Sequence, residues 1–152
     1  MAFGDVGKVC LFSEISGVIT LDGKPVAHAK LVRTVKKEKA VTDETTTDAH
    51  GYFKMPAIYD RTITKYLPME FVVKQDITLY YNNKEYKLWD GVKRTEEENA
   101  ESRGKPLIVK CELNSEVNHI SVNGSVFFNL CTWDVVPDQK REYKTYFDQE
   151  TD

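Results

Sequence analysis

Asp76-Ile77-Thr78-Leu79-Tyr80-Tyr81-Asn82-Asn83-Lys84-Glu85-Tyr86-Lys87-Leu88-Trp89 is the stretch that decides the fold. Two runs rich in β-branched and aromatic residues flank Asn82-Asn83, and asparagine tolerates the left-handed backbone that both central positions of a type I′ turn require. Folding the runs about that turn sets Tyr80 opposite Glu85, Leu79 opposite Tyr86, Thr78 opposite Lys87, Ile77 opposite Leu88 and Asp76 opposite Trp89. Apolar then meets apolar on one face, while polar and amphipathic side chains gather on the other. A slip of one residue would destroy that match. The spacing therefore predicts an antiparallel hairpin with Tyr80, Glu85, Lys87 and Trp89 outward.

The same grammar extends both ways along the chain. Ile15 to Leu21 reads as a strand turned by Asp22-Gly23-Lys24-Pro25, where glycine supplies a positive φ. From Ala27 to Val35 the alternation places Ala27, Ala29, Leu31 and Val35 on one face and His28 on the other. Lys36-Lys37-Glu38-Lys39 interrupts it, and the Thr-rich run from 40 to 47 suits a solvated edge strand, with the lysines beside it discouraging edge pairing. Asp48-Ala49-His50-Gly51 has the residue order of a type I turn, after which Phe53 and Met55 point inward. Tyr59 to Met69 stays undecided, its Ile63 and Leu67 spaced for helix and its threonines suited to strand; Pro68 marks its end.

Beyond the hairpin, Arg94-Thr95-Glu96-Glu97-Glu98-Asn99-Ala100-Glu101 carries the Thr95–Glu98 spacing of a capping box without an apolar face. One or two solvated helical turns, or a loop, are expected near 94–103. Leu107, Val109, Cys111 and Leu113 alternate as a core strand, Ile120 and Val122 lead into Asn123-Gly124, and Val126 to Cys131 is the most apolar run. From 139 to 152 the composition is polar apart from Tyr143, Tyr146 and Phe147, which suits a surface tail. Counting runs gives seven to nine short strands. The expected fold is all-β: one sandwich over residues 1–138, two sheets packed face to face.

Composition bounds the rest. With 152 residues the chain suits one core. Its 21 basic and 24 acidic residues leave a net charge of -3, no footprint for a phosphate backbone. No apolar run is long enough to span a bilayer as a helix. Asp5 and Lys8 interrupt what would be the apolar part of a secretory signal, so a cytoplasmic location is expected. Cys10, Cys111 and Cys131 lack CxxC spacing, and in a reducing compartment buried free thiols are expected ahead of a disulfide.

Ser16-Gly17-Val18-Ile19-Thr20-Leu21-Asp22-Gly23-Lys24-Pro25-Val26-Ala27-His28-Ala29-Lys30-Leu31, followed by Thr47-Asp48-Ala49-His50-Gly51-Tyr52-Phe53, resembles the opening of transthyretin-like and carboxypeptidase regulatory-like domains. The resemblance covers roughly residues 13 to 58 and implies a seven-stranded Greek-key sandwich. Leu11-Phe12-Ser13-Glu14-Ile15-Ser16-Gly17 also resembles small bacterial proteins of this kind, some associated with toxin and secretion gene clusters. Most such domains are accessory or binding modules. One relative is a hydrolase of a purine breakdown product with a C-terminal Tyr-Arg-Gly-Ser signature, which Gln149-Glu150-Thr151-Asp152 does not match. Another binds non-haem iron through two Tyr and two His, for which no spacing stands out here.

No residue pattern points to catalysis. His28, His50 and His119 fall on a strand face, in a turn and at a strand entrance, and Gly124-Ser125 lacks a nucleophile elbow. No cofactor or metal is expected. Aromatic residues are the better lead, because Tyr and Trp supply contact area at little entropic cost. Tyr80 and Trp89, ringed by Asp76, Glu85 and Lys87 and completed by Glu96, Glu97 and Glu98, form the expected partner-binding patch. The alternative for Trp89 is cover by the 93–105 insertion or the C-terminal tail; Trp133 is expected in the core. The function expected is non-enzymatic protein binding, with a toxin or secreted effector as the partner the resemblance implies; the alternatives are a diverged hydrolase and a glycan-binding or structural module.

Overall fold

The computed structural model describes residues 8–61 and 70–139. It is an all-β sandwich. In chain order the strands are β1 (Lys8–Phe12), β2 (Ile15–Leu21), β3 (Lys24–Pro25), β4 (Lys30–Lys36), β5 (Ala40–Thr46), β6 (Tyr52–Met55), β7 (Ile58–Arg61), β8 (Val73–Tyr81), β9 (Lys84–Lys93), β10 (Leu107–Glu112), β11 (Asn118–Val122), β12 (Ser125–Asn129) and β13 (Cys131–Trp133). Thirteen strands exceed the expected seven to nine because β3 and β13 are short pieces that pair with larger neighbours, and β1 and β7 pair with each other as a small two-stranded sheet. Most of Tyr59 to Met69, the first seven residues and the tail from 140 onward lie outside the described residues.

The larger sheet runs β11-β12-β9-β8-β4-β5, and the smaller runs β13-β10-β2-β3 with β6 also on β2. β2 and β10 are parallel, Leu107 to Glu112 lying beside Ile15 to Thr20. A parallel pair needs a crossover, and here the intervening chain builds most of the larger sheet. Gly17 lets the two strands meet, since a Cβ there would stand 2.0 Å from the Val109 carbonyl oxygen.

Alternation sends Ile15, Ile19, Phe53, Met55, Leu107 and Val109 from the smaller sheet, and Leu31, Val35, Ile77, Leu79 and Phe127 from the larger, into one buried cluster. Arg33 also points inward, fully buried. It donates from Nε (2.9 Å) and Nη2 to the Asp43 carboxylate on edge strand β5 and lies 5.0 Å from the centre of the Phe12 ring. An inward-paired acid on an outer strand discourages further edge pairing.

The turns follow their residue chemistry. Asp22-Gly23, Asn82-Asn83 and Asn123-Gly124 all have positive φ, as type I′ hairpins require. Tyr80 faces Glu85, Leu79 faces Tyr86 and Thr78 faces Lys87, as expected. The register then shifts. Ile77 lies opposite Trp89, and Asp76 opposite Asp90. Leu88 is the extra residue of a β-bulge, and its carbonyl accepts from Leu130 N instead (3.1 Å).

Three further expectations are corrected, the free thiols expected at Cys111 and Cys131 among them. The capping box does not form: Thr95 Oγ1 has no partner, and the insertion is a loop with a single 3-10 turn at Ala100–Ser102, all three residues of it buried. The run from Val126 to Cys131 is not one strand, because the chain changes sheets at Leu130. β13 thereby folds antiparallel onto β10 with Cys131 directly opposite Cys111. These two cysteines form a disulfide, their Cα atoms 3.9 Å apart; Cys10 alone is a free, buried thiol.

Candidate binding surface

Tyr80, Glu85 and Lys87 are exposed on the outer face of the larger sheet, next to the β8–β9 turn. Lys87 Nζ pairs with Asp76, Lys74 with Asp90 and Lys30 with Glu44, so three ion pairs cross this face beside the exposed rings of Tyr80 and Phe128. Glu97 and Glu98 are exposed and Glu96 half-buried. All three follow the far end of β9. Ten residues of strand, roughly 33 Å, separate that end from the turn. The structure therefore splits the expected patch in two.

Trp89 belongs to neither half. It is wholly buried, because the Leu88 bulge reverses its facing. Its ring packs against Phe12, Phe127 and Trp133 with centroids 5.7, 5.2 and 5.1 Å away, and its Nε1 donates to Gln75 Oε1 at 3.0 Å. Gly91 leaves room for this group: a Cβ there would lie 2.6 Å from Phe127 Cδ1 and 3.1 Å from Trp89 Nε1. Trp133, expected in the core, is instead half-buried against its edge and donates to the Glu101 carbonyl (3.0 Å).

Sequence reasoning missed a sealed polar cluster behind Trp89. Lys93 Nζ lies 3.3 Å from Glu101 Oε1, neither side chain being exposed, and donates to the Glu97 carbonyl (2.9 Å). The Glu101 carboxylate accepts from Ser13 Oγ (2.7 Å), Ser13 N (3.0 Å) and Gln75 Nε2 (3.3 Å). Burial, partly offset by the nearby Lys93 charge, pushes the Cys10 thiol above its usual range. The available signal was the inward period of Trp89, Gly91 and Lys93 once the bulge is placed. Beside this cluster, Tyr59 donates its hydroxyl to Glu98. That bond, helped by desolvation and the Glu98 charge, pushes the phenol up to about 12.

The histidines do not converge. His28 (φ 60°) and His50 lie near Asp48, whereas His119 stacks on Phe128 at 4.8 Å on β11 and β12. Asp48 is held below the usual carboxylate range by the Tyr52 and His50 amides it accepts. Among the described residues no group of three or more His, Cys, Asp or Glu side chains is arranged to hold a metal ion. No helix among them is long and apolar enough to cross a membrane.

The outer face of the smaller sheet has a different character. Tyr52, Val18, Lys110 and Thr132 line up across β6, β2, β10 and β13, a row roughly 14 Å long at strand spacing. Val18 is 38% exposed, Tyr52 42% and Ile108 61%. Beside the row lies an open groove of about 530 Å³, with Val18, Thr20, Lys110, Ser115, Asn118, Leu130 and Thr132 in its lining. Val18 and Ile108 were findable as apolar residues at the outward positions of strands whose inward positions are also apolar.

The fold and surface define an all-β sandwich whose larger sheet carries three ion pairs on its outer face and whose smaller sheet exposes Val18, Tyr52 and Ile108. Residues 15–116, more than half of the chain, match the family described as a domain of unknown function, DUF6795. The chain belongs to that family. The matched span opens at the first residue of β2 and closes just past β10, so it includes the central strands of the partly apolar face. No curated protein and no solved structure matches the chain.

Proposed function

We propose that this sandwich is a non-enzymatic module that binds another protein through the outer face of its smaller sheet. The observation that carries the reading is the exposure of Tyr52 and Val18, directly opposite each other on β6 and β2, with Ile108 diagonal to Val18 on β10. Solvated apolar and aromatic side chains on a rigid sheet gain free energy when a partner covers them. On the opposite face Lys87, Lys74 and Lys30 already pair with Asp76, Asp90 and Glu44, so burying those pairs would cost desolvation without new pairing. The resemblance to transthyretin-like and carboxypeptidase regulatory-like domains supports an accessory role, and a toxin or secreted effector is the partner class it suggests. Disulfides persist where the surroundings are oxidising, so the Cys111–Cys131 bond favours such a compartment over a reducing one.

Cross-linking in the native host with photoreactive residues at positions 18 and 108, then at 80 and 85, tests the reading. A single protein partner joined from the first pair and not from the second is the expected result. Ile108→Asp should abolish the complex while the variant keeps its near-ultraviolet circular dichroism. Equal cross-linking from both faces, or an intact complex with Ile108→Asp, would overturn it.

A further inference from the structure

Resting on that protein-binding reading, we infer that the groove beside Val18 takes an extended acidic segment of the partner, one carboxylate seated on Lys110 and an apolar side chain on Val18, the segment running out of the groove along β10 over Ile108. The groove lining holds two charged residues, Lys110 and Glu112. Glu112 is fully engaged: its carboxylate accepts from Thr20 Oγ1 (3.0 Å) and from the amides of Asp22 (3.1 Å), Gly23 (2.9 Å) and Asn114 (2.8 Å). Lys110 is exposed and makes no hydrogen bond or ion pair among the described residues. A cation left unpaired beside apolar side chains and a satisfied acid selects a negative partner group, and attraction strengthens as the partner excludes water.

The shape fixes the backbone form. Val18 and Lys110 face each other across the β2–β10 ladder, one strand spacing apart, while Ile108 and Lys110 stand two residues apart on β10. A segment laid along β10 repeats its same-face side chains at the Ile108–Lys110 spacing, which is the geometry of an extended chain, and Val18 lies one strand spacing to its side. A helix would present contacts three or four residues apart instead.

Panning a random display library of peptides of about eight residues, the length of a typical strand, against the full chain tests this. Selected peptides should carry Asp or Glu two positions from an apolar residue. A synthetic selected peptide should bind roughly tenfold more weakly when its acid becomes Asn or when Lys110 becomes Met, and more weakly in high salt. Absence of any enriched peptide, enrichment without acids, or affinity indifferent to Lys110→Met would overturn the inference. The broader reading fails separately: if Ile108→Asp disrupts the native complex while Lys110→Met does not, the face binds a partner and the acidic segment is wrong.

Discussion

Lys93 Nζ and Glu101 Oε1 are 3.3 Å apart with no part of either side chain in solvent, so the far end of β9 is tied to the 3-10 turn by a charge pair inside the body of the protein. Taking two charges out of water is expensive, and such a pair is tolerated only when hydrogen bonds meet its remaining valences. Here Glu97, Ser13 and Gln75 do so. Removing one partner strands the other. Lys93→Met and Glu101→Gln should each lower stability by about 3–5 kcal/mol in urea denaturation. Lys93→Met combined with Glu101→Gln should recover more than half of the summed loss. Strict additivity of the single changes would show that the two side chains are not coupled.

Trp89 fills the centre of the sandwich, touching Phe12, Phe127 and Trp133 and donating to Gln75. Trp89→Ala should cost at least about 3–5 kcal/mol, from the cavity left behind and the unsatisfied Gln75 oxygen together. Trp89→Phe should cost less, since it keeps most of the ring volume and loses the N–H. The native protein should also show blue-shifted fluorescence resistant to acrylamide. Ready quenching of all tryptophan emission would contradict the buried placement.

The distance between what the residues announce and what the chain builds is short for turns and long for pairings. Asn82-Asn83, Asp22-Gly23 and Asp48-Ala49-His50-Gly51 form the turns their local chemistry requires, because few residues accept positive φ and those that do are conspicuous. Inward positions such as Phe53, Met55, Leu107 and Val109 follow from period two alone. Trp89 does not, because one inserted residue at Leu88 reverses every later side chain of β9, and nothing in Lys87-Leu88-Trp89-Asp90 marks the bulge locally. The disulfide was hidden for a related reason. Alternation places Cys111 and Cys131 inward, but only the switch of sheets at Leu130 makes them neighbours. The partly apolar face escaped because apolar residues at outward positions are common on any sheet, and their meaning emerges only when β6, β2 and β10 lie side by side.

Cys111 and Cys131 close a loop with a sequence separation of 20, which in the chain-entropy account stabilises the fold by about 3 kcal/mol. Dithiothreitol, or the double change Cys111→Ala with Cys131→Ala, should lower the urea midpoint by a corresponding amount. Thiol titration of the oxidised protein in denaturant should find Cys10 alone, with all three cysteines reacting after reduction. Three reactive thiols in protein purified without reductant from an oxidising compartment would remove the bond from the native state.

Glu112 and Asp138 each hold a type I′ turn by accepting its amides, and both are thereby lowered from their ordinary values of 4.5 and 3.8. For Glu112 the Asn114 and Gly23 N–H groups are the main cause; for Asp138 it is the Gly124 N–H, with Asn123 and Arg103 adding. A carboxyl group that is more acidic in the folded chain than in the unfolded one binds fewer protons when folded, so stability rises with pH through that window. Their contribution is therefore complete above the unfolded values, near neutrality, and drains away as pH falls below about 4.5 toward the folded values. Both groups touch solvent, so screening limits each to about 1 kcal/mol or less. Thermal melts from pH 7 down to pH 3 should show the midpoint falling over the lower part of that range. Glu112→Gln and Asp138→Asn should each melt lower at pH 7 and show a shallower decline with acid. A decline as steep as in the unaltered protein would assign the acid sensitivity to other carboxylates.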